Sequence, residues 1–297
     1  LLTKTFLFLG FSFTDPNLDY VLARIRGLLG DHQRTHYCLL RPPNHEPDDP
    51  NARAEWEYER RKFELRVADL QRYSIQTVLV DEYEEIPEIL VDLDRRVRTR
   101  SVFISGSAIE YGEFGRVRLE AFVRLLGARL VNRGLRIVSG LGLGVGGSVV
   151  LGAMEHLYRP GVEEFGATED LLAIRPFPIG INDAGERTRV WKMHRGNMLS
   201  EVGVVVFVSG NRLEGDEIIE APGVHEEFSI AVGNDVTPIP VGATGFAARS
   251  LWKRVCDDQP AYFGDLDVSE QLEALGNPEA TVEELVDAVL TIIGKLE

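Results

Sequence analysis

Cysteine is nearly absent from this sequence: Cys38 and Cys256 are the only two in 297 residues. They stand far apart and without metal-ligand spacing. A disulfide framework is therefore not expected, and a reducing, cytoplasmic setting is. Histidine is also scarce, with six residues. His32, His36 and His45 cluster loosely, but no cysteine or carboxylate pattern accompanies them. They read as solvated loop residues, and no metal is expected. Basic residues are outnumbered, 32 Lys and Arg against 47 Asp and Glu, for a net charge of −15. That balance argues against nucleic acid as a partner, because such binding rests on lysine and arginine at phosphates. It leaves room for a small anionic ligand wherever a few arginines converge. No apolar run reaches membrane-spanning length, so no membrane partner is expected. The opening Leu1 to Leu9 is interrupted by Lys4 and has neither a basic lead nor a small-residue cleavage site. It reads as a buried strand rather than a secretory signal. An initial methionine is lacking too, and the chain reads as a piece of a longer protein.

What is present is an ordinary globular composition, 44% apolar and 27% charged, at a length that suggests two domains. Glycine is concentrated at one place. Ile137 to Gly147 reads Ile-Val-Ser-Gly-Leu-Gly-Leu-Gly-Val-Gly-Gly, and helical spacing follows through Val149, Val150, Met154 and Leu157. Strand, glycine loop and helix in that order bring backbone close to a phosphate and aim unpaired helix N–H groups at it. The same pattern also serves a tight turn that packs a helix on a sheet. The spacing G-x-G-x-G-x-G-G is not the dinucleotide fingerprint, so a phosphate cradle is supported and a hydride-transfer cofactor is not.

The remaining pattern alternates strands and helices. Strands are predicted at 5–9, 36–40 and 75–80, with helices at 18–29, 52–73 and 86–97; Pro16 suits the first turn of the helix at 18–29. A domain boundary is placed between residues 98 and 99. Beyond it, strands are predicted at 102–105, 135–139, 171–175, 202–208 and 238–241. Helices are predicted at 116–131, 148–158, 187–200, 223–232, 246–256 and 281–295. Such alternation implies an α/β fold with a parallel sheet covered on both faces, and a ligand at the carboxyl ends of its strands.

Four stretches gather at that edge. They are Ser105-Gly106-Ser107, the glycine loop with Gly140, Leu141, Gly142 and Gly144, the segment Trp191 to Met198 carrying Arg195, and Ser209 to Arg212 running into Ala221 to Phe228. Arg195 and Arg212 can fork onto phosphate or ribose oxygens. Pro222-Gly223 opens a helix whose first N–H groups are bare. Glu227 is expected in the first turn of that helix, as a ligand acceptor or as a dipole cap. Trp191 and His194 read as packing residues.

Together these residues resemble the SLOG superfamily, which includes the Lonely guy phosphoribohydrolases and nucleotide-derivative sensors. Met193-His194-Arg195 is similar to one motif of the enzymes. Pro222-Gly223-Val224-His225-Glu226-Glu227 aligns with the other, but Val224 replaces its second glycine and its Gly-Thr pair is missing. This argues against phosphoribohydrolase chemistry, which stays as the alternative. The run Gly-Leu-Gly-Leu-Gly-Val-Gly, Ile174 to Pro178, Gly223-Val224 with Glu227-Phe228, and Val241 to Gly245 look like the sensor domain of the NAD-cleaving Thoeris antiphage effectors. The resemblance implies a Rossmann-like SLOG domain over 99–297 that binds a cyclic ADP-ribose isomer made by a TIR-domain partner. It implies ligand contacts at Gly106, Ser107, Gly140, Leu141, Gly142, Gly144, Arg195, Arg212, Gly223 and Glu227, with Arg212 where that family usually has lysine. It also implies homo-oligomers through SLOG–SLOG contacts. Residues 1–98 resemble the C-terminal portion of a sirtuin-like Rossmann domain, through Phe8 to Pro16. There Gly10, Ser12 and Asp15 imply partial contacts to NAD, the substrate of the full-length protein. The catalytic Asn and His of such domains are not in this sequence, so the chain alone is expected to be inactive.

Overall fold

The computed structural model describes residues 4–11, 13, 15, 20–24, 34–159 and 170–297. Two compact units divide the chain, Leu1–Asp92 and Leu93–Glu297. The division falls inside a helix, Ile86–Thr99, and the boundary read from the sequence lies near the C-terminal end of that helix.

In the first unit, β1 (Leu7–Phe8), β2 (His36–Leu40) and β3 (Ile75–Leu79) form a parallel sheet in that order. Between β2 and β3 runs α1 (Pro50–Arg72), started by Asp49, whose carboxylate accepts from the Asn51 N–H, and by Pro50 at the first helical position. Its apolar stripe meets the sheet: Leu70 joins Phe13, Leu22, Cys38, Leu40 and Ile75 in a small core, with Phe8 and Phe63 against it. The strand expected at 5–9 is paired only over Leu7–Phe8. The helix expected at 18–29 falls largely outside the described residues, as do Pro16, Ser12 and His32. His36 corrects the expectation of a solvated histidine. It is 4% exposed on β2, and its Nδ1 accepts the Phe6 N–H at 3.2 Å. Alternation along a half-buried strand turned this ring inward.

The helix shared by the two units is α2 (Ile86–Thr99). The second unit then continues in register with the predicted alternation: β4 (Ser101–Ser107), α3 (Arg116–Asn132), β5 (Arg136–Ser139), α4 (Gly146–Leu157), β6 (Leu172–Ile174), α5 (Ala184–Leu199) and β7 (Val204–Ser209). After it come β8 (Asn211–Glu214), β9 (Glu217–Glu220), α6 (Pro222–Gly233), β10 (Thr237–Val241), α7 (Phe246–Asp257), α8 (Pro260–Phe263), α9 (Ser269–Gly276) and α10 (Val282–Leu296). Five strands pair in parallel in the order β10-β7-β4-β5-β6. All six residues of β7 are buried, so helices cover the sheet on both faces. The chain leaves β4 toward β5 and β6, then returns to the other side of β4 for β7. The carboxyl ends of β4 and β7 are therefore the place where strand order reverses, where open α/β sheets bind ligands.

The antiparallel hairpin of β8 and β9 was not predicted; residues 209–228 were read as loop into helix. Gly215, at φ +62°, and Asp216 make its two-residue turn. A Gly-Asp pair between short runs is the signal that marks such a turn. Helices α8 and α9 were also unpredicted, being four and eight residues long.

Candidate functional site

Beside the carboxyl ends of β4 and β7, a cavity of about 190 Å³ is lined by Ser105, Gly106, Ser107, Gly140, Gly142, Phe177, Trp191, Arg195, Arg212, Gly223 and Glu227, among others. It adjoins an open cleft of about 820 Å³ through shared walls at Trp191, Arg195, Arg212 and Gly223, and Arg187 and Glu226 lie on that outer side. Eight of the ten positions predicted for the ligand thus meet around one space. Leu141 and Gly144 do not line it. Leu141 takes a left-handed turn at φ +55°, and Gly144 packs on the loop after β4, where a Cβ would come 2.3 Å from the Ala108 carbonyl. A different cavity, about 320 Å³ beside Tyr111, Thr244 and Arg249, holds none of the predicted residues.

Much of the glycine loop serves packing. A Cβ on Gly142 would lie 1.9 Å from the Gly106 carbonyl oxygen, so the loop after β5 can press on the end of β4 only with glycine there. The Ala108 N–H donates to the Leu143 carbonyl at 2.7 Å across the same contact. Ser107 is engaged as well, its Oγ donating to the Asn211 carbonyl at 2.8 Å. Asn211 is fully buried and ties the loop after β4 to β8: its Oδ1 accepts from the Ile109 and Glu110 N–H groups, and its Nδ2 donates to the Glu110 carbonyl.

The centre of the site is Arg195. Helix α5 starts at Asp183, whose carboxylate caps the Glu186 N–H, and carries Arg195 inward three turns later. Its guanidinium lies over the Phe177 ring at 4.9 Å and within 5.8 Å of the Trp191 ring. Its Nε donates to Glu227 Oε1 at 3.2 Å and its Nη1 to Glu226 Oε2 at 2.7 Å. A Cβ on Gly223 would sit 2.4 Å from Arg195 Nη2, so the missing side chain lets the guanidinium rest against the start of α6. Glu227 corrects its predicted place: α6 begins at Pro222, so Glu227 stands in the second turn and is no dipole cap. It is buried, and Ser105 Oγ donates to its Oε2 at 2.5 Å. Arg195 is itself buried, at 9% exposed. Arg212, on β8, is half-exposed and donates to Glu214 Oε1 at 2.6 Å.

Residues 85–296 match the family described as the Sir2- and TIR-associating SLOG family, and residues 1–63 match the SIR2-like domain. The chain belongs to the Sir2- and TIR-associating SLOG family. Three curated proteins, each named NAD(+) hydrolase ThsA, are similar over nearly all of it. That of Bacillus cereus (strain MSX-D12) is 38% identical over 295 residues, covering 99% of this chain and 60% of the relative. That of Cytobacillus dafuensis is 37% identical over 304 residues, 100% and 61%. That of Enterococcus faecium is 38% identical over 302 residues, 98% and 61%. The chain therefore spans about 60% of the length of these relatives.

Electrostatics set what the SLOG site can do. Burial pushes the Glu227 carboxyl above the ordinary carboxylate range, against the pull of the Ser105 hydroxyl and the Arg195 charge. A buried carboxyl held by one hydroxyl and one guanidinium can accept from a ligand hydroxyl or hold a proton. Arg195 has a planar face toward two aromatic rings and an edge toward the helix start, a geometry suited to a phosphate or ribose. Phe177, Ser105 and Glu226 were not among the predicted ligand contacts. Ser105 lies in the first of the four stretches read from the sequence, one residue before Gly106 on β4. Phe177 and Glu226 are brought in by the packing of Arg195. In the SIR2-like region, Gly10 follows β1 with φ +67° and Asp15 is exposed, while Ser12 lies outside the described residues.

Proposed function

We propose that the SLOG unit is the sensor of an antiphage effector and binds a cyclic ADP-ribose isomer made by a TIR-domain partner. In the whole protein, occupation of this site switches on NAD hydrolysis by the SIR2-like domain, of which this chain carries a part. The observation that carries the reading is the convergence of Arg195, Glu227, Gly223 and Arg212 at the point where strand order reverses. Phosphates lie against the backbone at Gly140 and Gly142 and the first turn of α6, paired with Arg195 and Arg212. Glu227 accepts from ribose hydroxyls. The names of the relatives support NAD as substrate of the whole protein. A ligand drives such a switch only by binding one arrangement of subunits better than another, and homo-oligomeric SLOG–SLOG contacts are the element it biases. The setting is cytoplasmic, with neither nucleic acid nor membrane as a partner.

The test is a thermal-shift titration of the chain with cyclic ADP-ribose isomers, ADP-ribose, NAD and AMP, each nucleotide being recovered and chromatographed. Stabilisation by one cyclic isomer, recovered intact, is expected. Conversion of AMP to adenine and ribose phosphate would instead make the SLOG unit a phosphoribohydrolase.

A further inference from the structure

Arg195 is paired on two sides by the protein's own carboxylates. One guanidinium faces two carboxylates, Glu227 at 3.2 Å and Glu226 at 2.7 Å, and the other arginine of the cavity, Arg212, is paired with Glu214. The two glutamates differ in freedom. The Glu227 side chain is 8% exposed and also held by Ser105, whereas that of Glu226 is 33% exposed and lies on the wall of the open cleft. A phosphate that took the cleft-facing edge of Arg195, beside Gly223, would meet the Glu226 carboxylate at the same guanidinium.

We propose that Glu226 is a built-in counter-anion: it holds Arg195 in place of a ligand phosphate and must swing into solvent before the ligand can bind. The idea rests on the nucleotide reading above and deepens it. Three consequences follow from the charges. First, Glu226 adds a second carboxylate to the one Glu227 supplies, so Arg195 is ordered and its charge met on two sides before a phosphate arrives. Second, a neutral nucleoside cannot displace Glu226, because it offers Arg195 no competing charge. A pyrophosphate can, since it brings two negative charges and also reaches the helix N–H groups. Third, the exchange raises the ligand concentration at which the sensor fills, which sets a threshold against lesser anions.

The test compares wild type with Glu226→Gln by titration calorimetry, using the cyclic ADP-ribose isomers, ADP-ribose, inorganic pyrophosphate and adenosine. Glutamine keeps the size and the exposed position, and melting of the empty variant checks its fold. The anionic probes are expected to bind Glu226→Gln about tenfold more tightly, a gain of ~1.4 kcal/mol, while adenosine binding is unchanged. Equal or weaker anion binding by the variant, with wild type still binding, overturns the counter-anion and leaves the nucleotide site standing. An equal gain for adenosine also overturns it, since the effect is then not one of charge. Failure of both proteins to bind any anionic probe overturns the nucleotide reading, and the counter-anion with it.

Discussion

At the scale of single residues, two buried polar groups carry the sharpest expectations. Arg195 is buried and holds two carboxylates, so its loss is expected to cost fold stability as well as ligand binding. Arg195→Ala leaves Glu227 buried with Ser105 as its remaining partner, and breaking such a pair costs about 3 kcal/mol. Chemical denaturation of the ligand-free chain should show that loss, and adding Glu227→Gln should recover part of it, a coupling that a double-mutant cycle reads directly. His36 makes a pH-dependent prediction. Burial pushes its imidazole below the ordinary histidine value. The unfolded chain therefore takes up a proton first as pH falls through about 6.5, and the first unit loses stability from there down to the lower folded value. The slope stays under about 1.4 kcal/mol per pH unit. His36→Asn, which keeps an acceptor for the Phe6 N–H, should flatten it in melts between pH 7.5 and 5.5.

Among elements, the glycine loop separates packing from chain freedom. Gly142 and Gly147 stand in the same glycine run, yet they differ in what surrounds them. Gly142→Ala drives a methyl into the Gly106 carbonyl and should cost about 3 kcal/mol; under the proposed function it should also weaken ligand binding, because Gly142 and Gly106 wall the cavity. Gly147 sits in the first turn of α4 with nothing within 4 Å of a Cβ, so Gly147→Ala should be neutral or raise stability by about 0.5–1 kcal/mol. Equal losses in the two variants would show that the loop needs glycine for its backbone rather than for close approach. Long elements with strong periodicity were legible in the sequence to within a few residues: α3, predicted at 116–131, spans Arg116–Asn132, and α10, predicted at 281–295, spans Val282–Leu296. Helix α10 even carries its start signal, Thr281 and Glu284 in a reciprocal capping box. Short elements were not. The hairpin of β8 and β9 has four residues per strand and is mostly exposed, so no hydrophobic period marks it.

For the whole molecule, the net charge of −15 repels polyanions at long range, while the arginines that line the candidate site are few and local. Duplex DNA at physiological salt should therefore leave the chain's electrophoretic mobility unchanged at micromolar protein, while heparin resin should not retain it; retention of either would reveal a basic surface at odds with the sequence. The α/β class, the parallel order of strands along the chain and the four stretches of the site were all legible, because periodicity, glycine punctuation and turn residues act over short distances along the sequence. The state of each site residue was not, because it depends on neighbours far along the chain. Glu227 meets Ser105 across 122 positions and Arg195 across 32. Local sequence carries Arg195 and Glu227 as two ordinary charged helix residues. Only packing of α5 against α6 at the edge of β4 makes them a buried pair, and only there does a free-standing arginine become one that already holds an anion.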